Sequence, residues 1–209
     1  MQIEVYGESH FDYLVYLPKN YEANKKYPLM LFLHGVGECG DDLSLLKVTG
    51  VPKILDKDVD YKAIIVSPQC KKNRSWNSNS DKLFEFLQWA IKKYNADENA
   101  VSVTGLSMGA FGTWQLIADH SETFSAAAPI CGGWAVGIYR AINLPIRIYH
   151  GEQDNVVNVQ YSKDAYQILK NNGAKEVELF LYPECNHNSW TKTYERTDLL
   201  DWLINKRRK

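Results

Sequence analysis

Gly105-Leu106-Ser107-Met108-Gly109 lies between the apolar run Ala100-Val101-Ser102-Val103-Thr104 and a stretch with helical spacing, and its reading decides the fold. It has the form of a nucleophile elbow, a sharp strand-to-helix turn that lifts a serine hydroxyl from the top of a sheet. The flanking glycines have a steric reason: strand and helix backbones come so close that a Cβ two residues from the serine would collide. Three fixed positions at roughly 7% usage each, over about 200 starts, would give the pattern by chance in roughly one chain in fifteen. The flanks therefore carry the reading. Val101 and Val103 are β-branched strand residues, and Phe111, Trp114, Leu116 and Ala118 place apolar groups at helical spacing. The bland alternative is an ordinary strand-to-helix loop with a serine capping the helix.

A serine hydroxyl is a poor nucleophile until an imidazole accepts its proton, and a carboxylate must orient that imidazole. After an elbow of this kind the acid and then the base follow, each just beyond a later strand. Leu144 to Gly151 reads as a strand ending at a glycine, and Asp154 lies just past it. Val177 to Tyr182 alternates like the next strand, and His187, the only histidine after Asp154, follows in a polar loop. Asp154 also suits a turn, and Glu152 is a competing carboxylate nearby. His187 read blandly is a surface-loop histidine. The order and the strand positions favour Ser107, Asp154 and His187 as a catalytic set.

An oxyanion needs two backbone donors. The apolar strand Leu29 to Leu33 runs into His34-Gly35-Val36-Gly37-Glu38-Cys39-Gly40, a loop with three glycines. One donor is assigned to Val36, with Gly37 as the alternative, and the other to Met108, the residue after the serine. A phosphate-cradling reading fails for want of a following Gly-Lys-Ser/Thr.

The remaining chain reads as an N-terminal antiparallel pair (Ile3 to Tyr6, Phe11 to Leu17) and strands near 28–34, 62–67, 100–104, 125–130, 144–150 and 176–182. Asp81 to Tyr94 carries an apolar helical stripe, with Ser80 as a cap. Helices are also expected over 158–171 and 191–205. Such alternation predicts an α/β fold: a mostly parallel eight-stranded sheet with helices on both faces. At 209 residues and 45% hydrophobic content, the chain is ample for one domain spanning 1–209 and short for two.

His34-Gly35 with its glycine-rich continuation, Gly-Leu-Ser-Met-Gly, Gly151-Glu152-Gln153-Asp154 followed by Val156-Val157, and His187-Asn188-Ser189-Trp190 resemble the α/β-hydrolase superfamily. Within it, the chain resembles a compact esterase branch: feruloyl and acetyl-xylan esterases of carbohydrate esterase family one, polyhydroxybutyrate depolymerases and chains called predicted peptidases. Ser67-Pro68-Gln69-Cys70 and Ala128-Pro129-Ile130-Cys131-Gly132-Gly133 look like that branch too. The likeness runs from about residue 12 to 204. It implies a Ser-His-Asp serine esterase that needs no cofactor and no metal, acting on a small-molecule or polysaccharide-linked ester.

Many α/β hydrolases insert a cap domain between the strands at 125–130 and 144–150, where this chain has only about a dozen residues, Cys131 to Asn143. No cap domain is expected, and the site should be an open cleft. Trp76, Trp134 and Trp190 fall on its rim loops and are candidates for stacking on a sugar or an aromatic acyl group, although each also suits loop anchoring. Short-chain and aromatic acyl esters are the expected substrates. Rival readings are a serine peptidase or a thioesterase with the same triad, and a catalytically silent carbohydrate-binding module.

A net charge of −1 gives no reason to expect nucleic acid. The basic tail Lys206-Arg207-Arg208-Lys209 reads as a solvated helix end. No apolar run approaches a membrane span, and the first 20 residues lack the layout of a signal peptide. A cytoplasmic protein is expected if Met1 is the natural start; otherwise a secreted one whose signal has been removed. Cys39, Cys70, Cys131 and Cys185 lack metal-ligand spacing and all fall just past strand ends. Reduced thiols are favoured over a disulfide among them.

Overall fold

The computed structural model describes residues 2–57 and 59–208; Met1, Asp58 and Lys209, the last residue of the basic tail, lie outside the described residues. In chain order the elements are β1 (Gln2–Val5), β2 (Tyr13–Tyr16), β3 (Leu29–Leu33), α1 (Gly50–Leu55), β4 (Ile64–Pro68), α2 (Ser80–Lys93), β5 (Val101–Leu106) and α3 (Met108–His120). After them come β6 (Ala126–Ile130), β7 (Ile146–Gly151), α4 (Gln160–Asn171), β8 (Val177–Tyr182), α5 (Trp190–Arg196) and α6 (Leu199–Asn205). The strands form one sheet in the order β1-β2-β4-β3-β5-β6-β7-β8. β2 pairs antiparallel with β1 and with β4, and from β4 across to β8 every pairing is parallel. All eight expected strands are present, with ends displaced by at most two residues.

The central strands are buried along their whole length because both faces are covered. Alternation then sorts the side chains. Leu29, Leu31, Leu33, Val101 and Val103 face one layer with Leu83, Phe86, Leu87 and Ala90 of α2. Met30, Phe32, Ala126, Ala128 and Ile130 face the other, with Val51, Ile54 and Leu55 of α1 and Leu199, Leu200 and Leu203 of α6. Ala-rich β6 leaves room on both sides for the helices to close over the middle of the sheet.

Three helical expectations change. Ser80 is the first residue of α2, not its cap, and Asn79, which precedes it, makes no side-chain capping bond. The helix expected over 191–205 is two helices, because Thr197 is extended and its hydroxyl donates back to the Thr193 carbonyl while accepting from the Leu199 amide. α1 had no counterpart among the expected elements. The basic tail is tied down as well: Lys206 pairs with Glu176, Arg207 with Asp97, and Arg208 donates to the Glu122 carbonyl.

Between β6 and β7 the chain makes a single 3-10 turn, Ile138–Ala141, and no cap domain. No described helix is long and apolar enough to cross a membrane. The carboxyl ends of β3, β5, β6, β7 and β8 all open onto one edge of the sheet, where ligands of open α/β sheets are held.

Candidate active site

Ser107 sits between β5 and α3 with φ 52° and ψ −116°, a left-handed conformation that costs a non-glycine residue about 1–3 kcal/mol. The turn is held by its surroundings. The Ser107 amide donates to the Ile130 carbonyl (2.9 Å), and its carbonyl accepts from Ala110 and Phe111. A Cβ on Gly105 would overlap the Gly109 carbonyl, and one on Gly109 would overlap Leu33 and His34 backbone atoms at the end of β3. The absence of side chains there lets α3 begin directly against β3, and so brings the Val36 loop and Met108 to the same end of the sheet.

Ser107 Oγ lies 2.9 Å from His187 Nε2, and His187 Nδ1 lies 2.7 Å from Asp154 Oδ2. With the carboxylate accepting from Nδ1–H, Nε2 is left as the acceptor for the serine proton. Asp154 comes from the loop after β7 and His187 from the loop after β8. These loops touch at Gly151, where a Cβ would overlap the carbonyls of Cys185 and Asn186. The Asp154 side chain is fully buried. Burial pushes its carboxyl up, but hydrogen bonds from His187, Val157 and Val156 outweigh this and hold it below the ordinary carboxylate value. The competitor Glu152 is exposed and stands 3.9 Å from Lys163.

Val36 opens a short 3-10 turn, Val36–Glu38, and Met108 is the first residue of α3. The turn is braced from below. The buried His34 ring accepts the Cys70 amide at Nε2 (2.9 Å), so Nδ1 carries the hydrogen and meets the Gly35 carbonyl. Glu38 accepts the Gly35 amide (2.9 Å), and Gln69 donates to the Glu38 and Asp42 carbonyls. Burial pulls His34 down to about 4, keeping it neutral.

The three tryptophans part company. Trp76 is 0% exposed, donates Nε1–H to the His34 carbonyl (3.0 Å) and packs on Phe11. As a stacking surface it is ruled out, because its ring is core beneath the loop that starts at His34. Trp134 is 36% exposed. Trp190 is half-buried: its ring meets the His187 ring edge-on at 5.3 Å, and Nε1 donates to Thr49.

Sequence reasoning missed His150, at the end of β7, whose Nε2 lies 3.1 Å from Asp154 Oδ2. The signal was a histidine near the end of a largely buried strand, Ile146–Gly151. Cys131, at φ 47°, follows β6 directly and is buried; burial pushes its thiol up to about 12. Among the described residues, Cys131, Asp154 and His187 form the one group whose metal-ligating atoms lie within 4.8 Å of one another. Asp154 and His187 already bond each other there, so a metal ion would have to break the Ser107-His187-Asp154 chain. All four cysteines are free.

An eight-stranded, mostly parallel sheet with a serine on a strained elbow and an imidazole and carboxylate on the two later loops defines the α/β-hydrolase class. Residues 48–198 match the model of the dienelactone hydrolase family, and the chain belongs to that family. Feruloyl esterase D of Neurospora crassa is 28% identical over 199 residues, 88% of this chain and 67% of that protein. Probable acetylxylan esterase A of Aspergillus terreus is 39% identical over 80 residues, 37% of this chain and 26% of that protein. A solved structure described as a thermostable esterase is 30% identical, with a TM-score of 0.83 over 100% of this chain and 63% of the other. The chain thus spans 67% of the first relative and only 26% of the second.

Proposed function

We propose that this member of the dienelactone hydrolase family is a serine esterase whose 1–209 span acts as one catalytic domain, hydrolysing short or aromatic acyl esters through Ser107, His187 and Asp154. The observation that carries it is the continuous hydrogen-bonded chain from Ser107 Oγ through His187 to Asp154 Oδ2, at 2.9 and 2.7 Å. His187 Nε2 takes the hydroxyl proton as Oγ attacks the ester carbonyl. The imidazolium so formed is held by the Asp154 carboxylate. The tetrahedral oxyanion is stabilised by the amides of Met108 and Val36, and collapse releases the alcohol with the same proton. Water, deprotonated by His187, then frees the acyl group from Ser107. Because His187 must be neutral to act as base, kcat/KM falls toward acid pH.

The substrate class rests on two supports. Val36, Trp134, Val136 and Val156 are exposed apolar residues on loops after β3, β6 and β7, and an open edge of this kind admits an acyl group attached to a polymer. The relatives named above, feruloyl and acetylxylan esterases, carry acyl groups of these two kinds in their names. A panel of p-nitrophenyl acetate, methyl ferulate and acetylated xylan, with Ser107→Ala as the blank, tests the reading. Stoichiometric fluorophosphonate labelling of Ser107 with turnover of at least one ester is expected. No labelling and no turnover by folded protein would sink it.

A further inference from the structure

Asp154 receives four hydrogen bonds, and only one donor, His187, belongs to the chain that reaches Ser107. Oδ1 accepts the amides of Val156 and Val157, both at 2.9 Å. Oδ2 accepts His187 Nδ1–H at 2.7 Å and faces His150 Nε2 at 3.1 Å. His150 is 0% exposed at the carboxyl end of β7, and both imidazoles converge on one oxygen.

The hydrogen on His150 can be placed. Nε2 faces two groups that only accept, the Asp154 carboxylate and the Val157 carbonyl at 2.9 Å, so Nε2 carries the hydrogen. Nδ1 lies 2.7 Å from Ser162 Oγ on α4, a hydroxyl able to donate to it. We propose that His150 is a positioning residue: a neutral imidazole, set in its Nε2–H form by Ser162, that shares Asp154 Oδ2 with His187 and fixes both the direction and the basicity of the carboxylate. The proposal rests on the serine-esterase reading for its kinetic consequence only.

The charges around the pair are few. Burial depresses the pKa of His150, opposed by the Val157 carbonyl and by Asp154, which favours one ring hydrogen. From β6 the Cys131 thiol faces Asp154 and stays protonated, its pKa pushed up to about 12 by burial. Glu152 and Lys163, on the β7 loop and α4, stand 3.9 Å from each other. His187 is the remaining titratable group on Asp154. A donor on Oδ2 draws charge from the oxygen that His187 also uses. Without it Oδ2 becomes the stronger acceptor, the imidazolium of His187 gains stability, and protonation persists to higher pH. Apart from His187 itself, the carboxylate then keeps only its two backbone amides for orientation.

Three measurements test this. In protein labelled with 15N histidine, which has only five such residues, His150 is expected as the neutral Nε2–H tautomer at pH 7 and above. An Nδ1–H tautomer, or titration in step with His187, overturns the proposal whether or not any ester is turned over. In His150→Leu, kcat is expected to fall roughly tenfold or more, with the acid limb of the kcat/KM profile moved to higher pH. His150→Gln, which can return an N–H to Oδ2, should bring that limb back toward its original position and recover part of the rate. A folded Leu variant with unchanged limb and rate overturns the role; if the Leu variant does not fold, the tautomer and the Gln profile decide it. Wild-type protein without turnover would count against the esterase reading alone.

Discussion

Ser107 occupies a backbone conformation suited to glycine, at φ 52° and ψ −116°, so its side chain and its stability pull in opposite directions. Ser107→Ala removes one hydroxyl and leaves the strain. It should fold and lose on the order of 10⁴-fold or more in ester turnover. Ser107→Gly should be equally inactive yet more stable than the parent by about 1 kcal/mol, because glycine adopts this region without penalty. Denaturant midpoints of the two variants check this: a Gly variant no more stable than the Ala variant would mean that the elbow is unstrained. The same scale explains what side-chain type alone did not disclose. Trp76 and Trp134 both fall on loops after strands, but Trp76 packs on Phe11 and the His34 carbonyl while Trp134 keeps a 36% exposed ring. An aromatic in a loop reads the same before burial is known. His150 was hidden for a similar reason, since a lone histidine near the end of a strand gives no sign of a bond to the carboxylate four residues on until the loop is folded.

The elements were far more legible than the loops between them. β3, β5 and β6 are buried on both faces, so their apolar runs are unmistakable. Ser107, Asp154 and His187 stood out as candidates because each lies within five residues of a strand end and the three strands come in a fixed order. The break between α5 and α6 did not, since the extended Thr197 backbone and the hydroxyl bonds that accompany it do not show in residue spacing. One loop contact matters more than any helix boundary. Gly151 lets the Asp154 loop rest on the carbonyls of Cys185 and Asn186, just before His187. In Gly151→Ala the added methyl must push the two loops apart, and a displacement of about 1 Å in a reacting geometry can cost on the order of 10²-fold in rate. Gly151→Ala should therefore lose roughly that much kcat while KM and the far-ultraviolet circular dichroism stay near wild type. Unimpaired kcat would show that the loops can yield without disturbing the Asp154–His187 contact.

Taken as a whole, the molecule buries neutral imidazoles next to its site, and this makes its stability depend on pH. Burial depresses His34 to about 4 from an ordinary 6.5, and His150 in the same direction. The unfolded chain then binds more protons than the folded one below pH 6.5. Stability is full above that value and is lost as pH falls toward 4, by roughly 3 kcal/mol for His34 alone. Asp154, depressed below 3.8, adds a further loss only in stronger acid. Denaturation midpoints at pH 7 and 4.5 should differ accordingly; equal midpoints would contradict buried neutral imidazoles. The other property of the whole fold is the missing cap. Between β6 and β7 only one 3-10 turn, Ile138–Ala141, stands where a lid domain would enclose a long chain. Each enclosed CH₂ would contribute about 0.8 kcal/mol, but on an open edge the carbons beyond the first few remain in water. Acetate and butyrate esters, and flat aromatic acyl groups that can lie against Trp134, should be turned over with higher kcat/KM than octanoate or laurate. A steady rise in kcat/KM from acetate to laurate would require a deep apolar tunnel that the short loops after β6 do not provide.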